Sequence, residues 1–232
     1  MAKFSPGPGV AAVSGSIGGT VFSRNRYGAY MRYRAVPVNP DTQAQALARQ
    51  AIAAASETWR SLTPGKRAAW ATWCAGNPIV DTLGNAQILS ANAGYCQINS
   101  RLLYVGEAQI DLPPTAAAPA PLATIGLETD LGVGDFELNY TATPLGAGVS
   151  LWLQAAVVNS AGINYVKNLM RIVDVSEAAK ASPIADLDTL LVAKFGTLQV
   201  GQIVHVLAST FDSATGLLST PLRASSVVVE TS

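Results

Sequence analysis

The chain has 232 residues, of which 49% are hydrophobic and 13% charged, with 20 glycines, 13 prolines, two cysteines and one histidine. That length is ample for a buried core in one large or two small domains. The low charge content argues against a disordered chain or a coiled coil. Two cysteines, Cys74 and Cys96, exclude a disulfide scaffold and the common cysteine zinc clusters, and a single histidine excludes any site that needs two.

Charge is unevenly spread. Residues 1–67 carry nine basic side chains against Asp41 and Glu57, and the remainder carries six basic against thirteen acidic, so a formal +7 leads a formal −7. A basic leading segment on an acidic body suits two parts that face different partners, or an arm of one copy lying on the body of another. The opening residues, Met1 to Gly9, lack the apolar block of a secretory signal. The apolar runs are too short for a membrane helix, and no membrane partner is expected.

Residues 1–19 are rich in Gly, Pro and Ser without apolar periodicity, and predict an extended arm with no core of its own. Two β-prone runs follow, Thr20–Arg24 and Tyr30–Val36, around Asn25-Arg26-Tyr27-Gly28, whose Asn and Gly suit a turn. The reading is a hairpin in which Phe22, Arg24, Arg32 and Arg34, all at even positions, project from one face. Interleaved with Tyr27, Tyr30, Tyr33 and Arg26, they form the candidate partner-binding set. Arginine grips carboxylate or phosphate with a bidentate fork and stacks on aromatic rings, so the set suits an acidic protein surface or, less favoured, a nucleic acid. A two-stranded hairpin with so little to bury needs external support.

Val36-Pro37-Val38-Asn39-Pro40 reads as an extended connector. Helix signals start at Asp41-Thr42, where Thr42 and Gln45 suggest a capping box, and Leu47, Ala48, Ala51, Ile52, Ala55, Trp59 and Leu62 form one apolar stripe. Thr63-Pro64 opens a second helix that stops near Gly76-Asn77-Pro78. A third is expected from about Ser90 to Tyr104, with Ala93, Cys96, Gln97, Arg101 and Tyr104 along one side, although Gly94 weakens it.

Residues 111–124 are a Pro/Ala stretch that predicts a linker without a packing face. Beyond it, alternation predicts strands at Phe136–Thr143, Val149–Val158, Asn168–Val175, Thr189–Lys194, Gln202–Phe211 and Ala224–Glu230, with Ser176–Asp188 as a short helix or a crossover loop. About seven strands in this length suit an immunoglobulin-like or fibronectin-like sandwich. The fold class expected is therefore α+β: an extended basic arm and hairpin over 1–40, a small three-helix domain over 41–110, the linker 111–124, and an antiparallel β-sandwich over 125–232.

No constellation here reads as catalytic. His205 sits in an alternating strand with no nucleophile or orienting carboxylate placed beside it by any motif. The glycine-rich Val13–Thr20 lacks the lysine spacing of a phosphate loop, and Asp174, Glu177, Asp186 and Asp188 fit no calcium loop. No enzyme activity, cofactor or metal site is expected.

Three stretches together resemble small virion proteins of tailed bacteriophages: Gly18–Arg32 with Pro37-Val38-Asn39-Pro40 and Thr42–Gln45; Trp59–Pro64 with Arg67–Trp70; and Leu89–Gly94 with Asn99. The resemblance implies a basic arm ahead of short helices and an outward immunoglobulin-like domain, with no enzymatic role. The C-terminal stretch Leu198–Ala208 and Gly216–Ser219 is similar to the last strands of a fibronectin-like domain, departing from it at Val204, where a tyrosine is usual. The function implied is a capsid decoration or cement protein, with a neck, tail or fibre-attachment component as the alternative and a nucleic-acid-binding protein as a further one. The partners implied are the major capsid protein or neck and tail proteins and further copies of this chain, in a virion assembled in the host bacterial cytoplasm.

Overall fold

The computed structural model describes residues 2–3, 7–10, 12–25, 28–36, 41–80, 86–132, 136–160, 162–163 and 165–230. Over the described residues it is a mixed helix and sheet protein with four helices and antiparallel sheets, and it divides into two compact units, residues 1–43 and 44–232.

The first unit is a four-stranded antiparallel sheet made of β1 (Ala2–Lys3), β2 (Gly15–Ile17), β3 (Thr20–Asn25) and β4 (Gly28–Tyr33), in the order β1-β4-β3-β2. The expected hairpin is its centre, but the stretch before it is not simply an extended arm. Gly18-Gly19 closes a two-residue loop in which Ile17 faces Thr20, and Gly18 takes the positive φ of +56° that such a loop asks of its first central residue. That geometry folds β2 back along β3. The glycines read from sequence as a mark of flexibility are the turn that adds a strand.

The second unit begins with α1 (Gln43–Ser61), α2 (Pro64–Gly76) and α3 (Ala91–Val105), with the short pair β5 (Ile79–Val80) and β6 (Ala86–Gln87) between the last two. Thr63 caps α2 by accepting from the Lys66 N–H, and Pro64 takes the first helical position, as the sequence predicts. Ser90 caps α3 in the same way, and Gly106, left-handed at φ +84°, ends it. The three helices close on aromatic rings. Trp70 is wholly buried, edge-on to Tyr95 (5.3 Å between centroids, 82°) and to Trp73 (5.6 Å, 68°), while Trp59 tilts onto Tyr95 from α1. Each such ring adds about 0.5–1.5 kcal/mol beyond its area burial.

Two expected stripes need correction. In α1, Ala51, Ala55, Trp59 and Leu62 do pack, but Leu47 and Ile52 are exposed; Ile52 stands one residue, or about 100° of helix, off the packed line. In α3 the buried side is Gly94, Tyr95, Ile98, Asn99 and Leu102 rather than the line through Cys96, Gln97 and Arg101. Gly94 and Asn99 are small or polar, so periodicity counts against the true face. Both have structural uses. A Cβ on Gly94 would collide with the Cys74 thiol of α2, so glycine permits the α2–α3 approach. The buried Asn99 amide clamps the chain after α3, accepting from the Ile110 N–H at 2.7 Å and donating to the Tyr95 and Ile110 carbonyls at 3.2 Å.

The sheet of this unit has the order β10-β9-β11-β12, all antiparallel, from β9 (Val149–Val158), β10 (Arg171–Val175), β11 (Ile203–Asp212) and β12 (Leu222–Val227). Its central strands are buried on both faces, and the register shows why. Leu151, Leu153 and Ala155 share one face with Val204, Val206 and Ala208, and these meet a two-stranded sheet, β7 (Thr124–Leu127) and β8 (Leu138–Thr141), together with α4 (Leu187–Phe195). On the other face Trp152 and Phe211 pack tilted at 52° with centroids 5.4 Å apart, and Tyr104 of α3 reaches Trp152 at 5.6 Å. Helices and sheet thus share one core: Ile98, Leu102, Tyr95 and Trp70 cluster with Trp152 and Phe211. Each fully buried aliphatic side chain contributes about 1.5–3 kcal/mol.

The segment Thr189–Lys194, expected as a strand, is the middle of α4. Thr189, Val192 and their neighbours have strand propensity, yet Leu187 and Leu191, four apart, are the buried pair, with Leu190 and Phe195 half-buried beside them. Tertiary packing of that helical spacing outweighs local preference. The Pro/Ala stretch also has partners that its composition does not announce. Pro114 and Leu122 are buried, Trp70 Nε1 donates to the Asp111 carbonyl at 2.9 Å, and Thr210 Oγ1 donates to the Ala120 carbonyl at 2.8 Å. Lys66 pairs with Asp111 at the start of the stretch.

Candidate docking interface

The residues singled out in the leading segment can now be placed. In the β3–β4 hairpin Asn25 faces Gly28, Arg24 faces Ala29, Ser23 faces Tyr30, Phe22 faces Met31, Val21 faces Arg32 and Thr20 faces Tyr33. Residues directly opposite in an antiparallel pair share a face. The two-residue connection at 26–27 sets every even position of β3 against an odd position of β4, so the expected single arginine face is corrected. Phe22 and Arg24 lie with Ala29, Met31 and Tyr33 on one face; Arg32 lies with Val21, Ser23 and Tyr30 on the other. Arg34 stands one residue past β4, where its N–H donates to the Gly19 carbonyl at 2.8 Å. Arg26 and Tyr27 lie outside the described residues.

Both faces are open. Tyr33 is 88% exposed and Ile17 75% exposed, and Phe22, Tyr30 and Met31 are no more than half-buried. Among the described side chains of residues 1–43, none is buried. The side chains of Arg24, Arg32 and Arg34 are exposed and form no hydrogen bond or ion pair. The unit as a whole carries five basic residues against Asp41. It is a basic, aromatic sheet whose described side chains are exposed or half-buried on both faces.

A second feature escaped the sequence reading. Where α2, α3 and the Trp152 face of the large sheet diverge, they leave a cleft of about 450 Å³. Arg101 of α3 lines it, half-buried and with no hydrogen bond or ion pair, and burial lowers its pKa from the ordinary arginine value. Trp152, 5% exposed, lines it too, and its buried Nε1–H has no acceptor. One clue was legible. Arg101 is the single charged residue of α3, without an acidic residue three or four positions away to pair with it.

The remaining chemistry-bearing groups are structural in placement. His205 is 5% exposed, and Arg223 Nη2 lies 3.1 Å from its Nδ1; burial first, and the Arg223 charge second, lower its pKa. Burial raises the Cys74 thiol, opposite to what a nucleophile needs. Among the described residues no group of three or more His, Cys, Asp or Glu side chains is placed to hold a metal ion, and no helix is long and apolar enough to cross a membrane.

No protein-family model and no curated protein matches the chain. Among solved structures, the solution structure of the fn3 domain of human collagen alpha-1(XX) chain is similar over 51% of this chain and 93% of that one, at 20% identity and a TM-score of 0.32. At that TM-score the likeness supports no statement about function.

Proposed function

We propose that this chain is a non-enzymatic structural protein that joins an assembly through its N-terminal sheet, as a decoration or cement protein on the capsid of a tailed bacteriophage. The observation that carries the reading is a four-stranded sheet in which no described side chain is buried and on which the side chains of Arg24 and Arg32, and of Arg34 just past it, have no partner. A sheet needs a covered hydrophobic face for independent stability, so this one gains most from a neighbour that supplies the cover. Arginine and aromatic side chains stand on both faces, which suits insertion between two surfaces better than attachment to one. Residues 44–232 carry ten basic against fourteen acidic side chains, so a second copy of the chain offers a surface of complementary charge, as would an acidic capsid subunit. Repetition by symmetry would turn many such modest contacts into firm attachment.

The address in a virion rests on the resemblance of residues 18–45, 59–70 and 89–99 to small phage virion proteins. In the same reading, residues 125–232 form an immunoglobulin-like or fibronectin-like sandwich that faces outward, supported by two antiparallel sheets around one core.

The test is co-sedimentation with purified particles. Removing residues 1–36, or replacing Arg24, Arg32 and Arg34 together by alanine, is expected to abolish association while the body still unfolds cooperatively. Undiminished association of both variants overturns the reading. Copy number by mass spectrometry of intact particles then separates a shell protein, with on the order of hundreds of copies, from a neck or tail component with about a dozen or fewer. Retention on DNA that falls steeply with salt would instead favour the nucleic-acid alternative.

A further inference from the structure

The cleft at the helix–sheet joint is lined by an arginine without a partner. Guanidinium and indole N–H are donors only, and neither Arg101 nor Trp152 Nε1 has an acceptor. Trp152 Nε1 is buried, and a buried donor left unpaired is costly; the Arg101 guanidinium is half-buried at the cleft wall. Among the described residues no acidic side chain lines the cleft and Arg101 is its one charge, and Gln97 and Gln154 add amides that make no other hydrogen bond. The opposing walls are apolar, from Trp73, Ile98, Leu207 and Leu218.

We propose that this cleft binds a carboxylate carried on an apolar body, with the Arg101 fork holding the two carboxylate oxygens beside the Trp152 ring. A singly charged head matches the single cation. A doubly charged phosphate would leave one charge unpaired between apolar walls, which is unfavourable in low dielectric. The volume of the cleft accommodates a small organic acid or one acidic side chain of a peptide, and the carboxylate is common to both. The inference is independent of the docking role of residues 1–43, because every lining residue lies between Trp73 and Pro221.

The test follows the Trp152 indole N–H resonance of the ¹⁵N-labelled full chain, assigned by its loss in Trp152→Phe, during titration with phenylacetate and, separately, with neutral phenylacetamide. Phenylacetate is expected to shift that resonance saturably and to raise the melting temperature, as any ligand of the folded state does, while phenylacetamide binds about tenfold more weakly or less. Arg101→Gln should weaken phenylacetate binding about ten- to a hundredfold, and Arg101→Lys, which keeps the charge and loses the fork, should fall between. Melting curves of both variants separate loss of binding from loss of fold, and the two chemically matched ligands on the unaltered chain keep the test intact if either variant fails to fold. A parallel titration with acetyl-Leu-Glu-Leu-amide and its Gln counterpart identifies the source. Tighter binding of the Glu peptide than of phenylacetate assigns the site to an acidic side chain, and the reverse assigns it to a free acid. The proposal fails if neither carboxylate saturates the resonance up to about 50 mM, if the neutral partners bind equally well, or if a folded Arg101→Gln binds phenylacetate unchanged.

Discussion

The two units of this chain use the same backbone device to opposite ends. Residues 20–33 and residues 149–212 both contain a hydrogen-bonded antiparallel pair with β-branched and aromatic residues in alternation. In the second, both faces of the pair are covered, one by α4 and the β7–β8 sheet, the other by the three-helix layer. In the first, no described side chain is buried. Hydrogen bonding alone does not stabilise a sheet in water, because each bond replaces one made to solvent and nets only about 0.5–1.5 kcal/mol. The difference between the two regions is a difference in burial, and the uncovered one is where a partner has most to contribute.

The contrast breaks most visibly at the aromatic knot. Trp70→Ala removes a fully buried ring, its contacts with Tyr95 and Trp73 and its bond to the Asp111 carbonyl. It should cost about 3–5 kcal/mol in urea unfolding of the body. Tyr33→Ala in the open sheet should change the same transition by less than about 0.5 kcal/mol. Comparable losses from the two substitutions would show that the leading sheet has a core after all.

A smaller effect probes whether helices and large sheet act as one body. Gly216, at φ +70°, sits where an added Cβ would lie 2.9 Å from Ile98 Cγ2 and 3.1 Å from Leu102 Cγ, both on α3. Gly216→Ala should cost about 1–3 kcal/mol, with helix and sheet probes still unfolding in a single transition. Separate transitions would mean that the joint is not cooperative.

The next effect is one of pH. His205 has its pKa lowered in the folded state, so below about 6.5 the unfolded chain binds the proton more readily than the folded one. Stability is therefore full above that value and declines as pH falls through the window beneath it. A His205→Gln variant should lose this component of the pH dependence, read as the difference between the two proteins' melting temperatures at pH 7.5 and pH 5.5. An identical pH response in both would show that His205 does not carry it. Least of all should the arginines matter to the isolated chain. Arg24→Ala and Arg32→Ala are each expected within about 0.5 kcal/mol of the parent, since neither side chain has an internal partner to lose.

The sequence announces much of this, and its misses share a cause. Caps at Thr63 and Ser90, the stop at Gly106 and the alternation of Val149–Val158 are local signals, and the helices and strands they mark are present. Position relative to other elements is not local. Leu187 and Leu191 choose a helix because a core lies beneath them; Gly94 and Asn99 are buried because neighbouring chain segments need them small or amide-bearing. The arginines of the candidate interface were legible as residues, but their division between two faces depends on the register of the 26–27 connection, which parity along one strand does not give. Arg101 and Trp152 are 51 positions apart and line one cleft only through the packing of α3 on the sheet.

Among the described residues the leading sheet has no buried side chain, and in the proposed role it is held by whatever it docks on. Hydrogen exchange of the full chain at low concentration, resolved to single amides, tests it most directly. Amides paired within Thr20–Tyr33 should exchange by local opening with little protection, while those of β9 and β11 approach the protection of global unfolding. Protection of Thr20–Tyr33 equal to that of β9 and β11 in the isolated chain would contradict it.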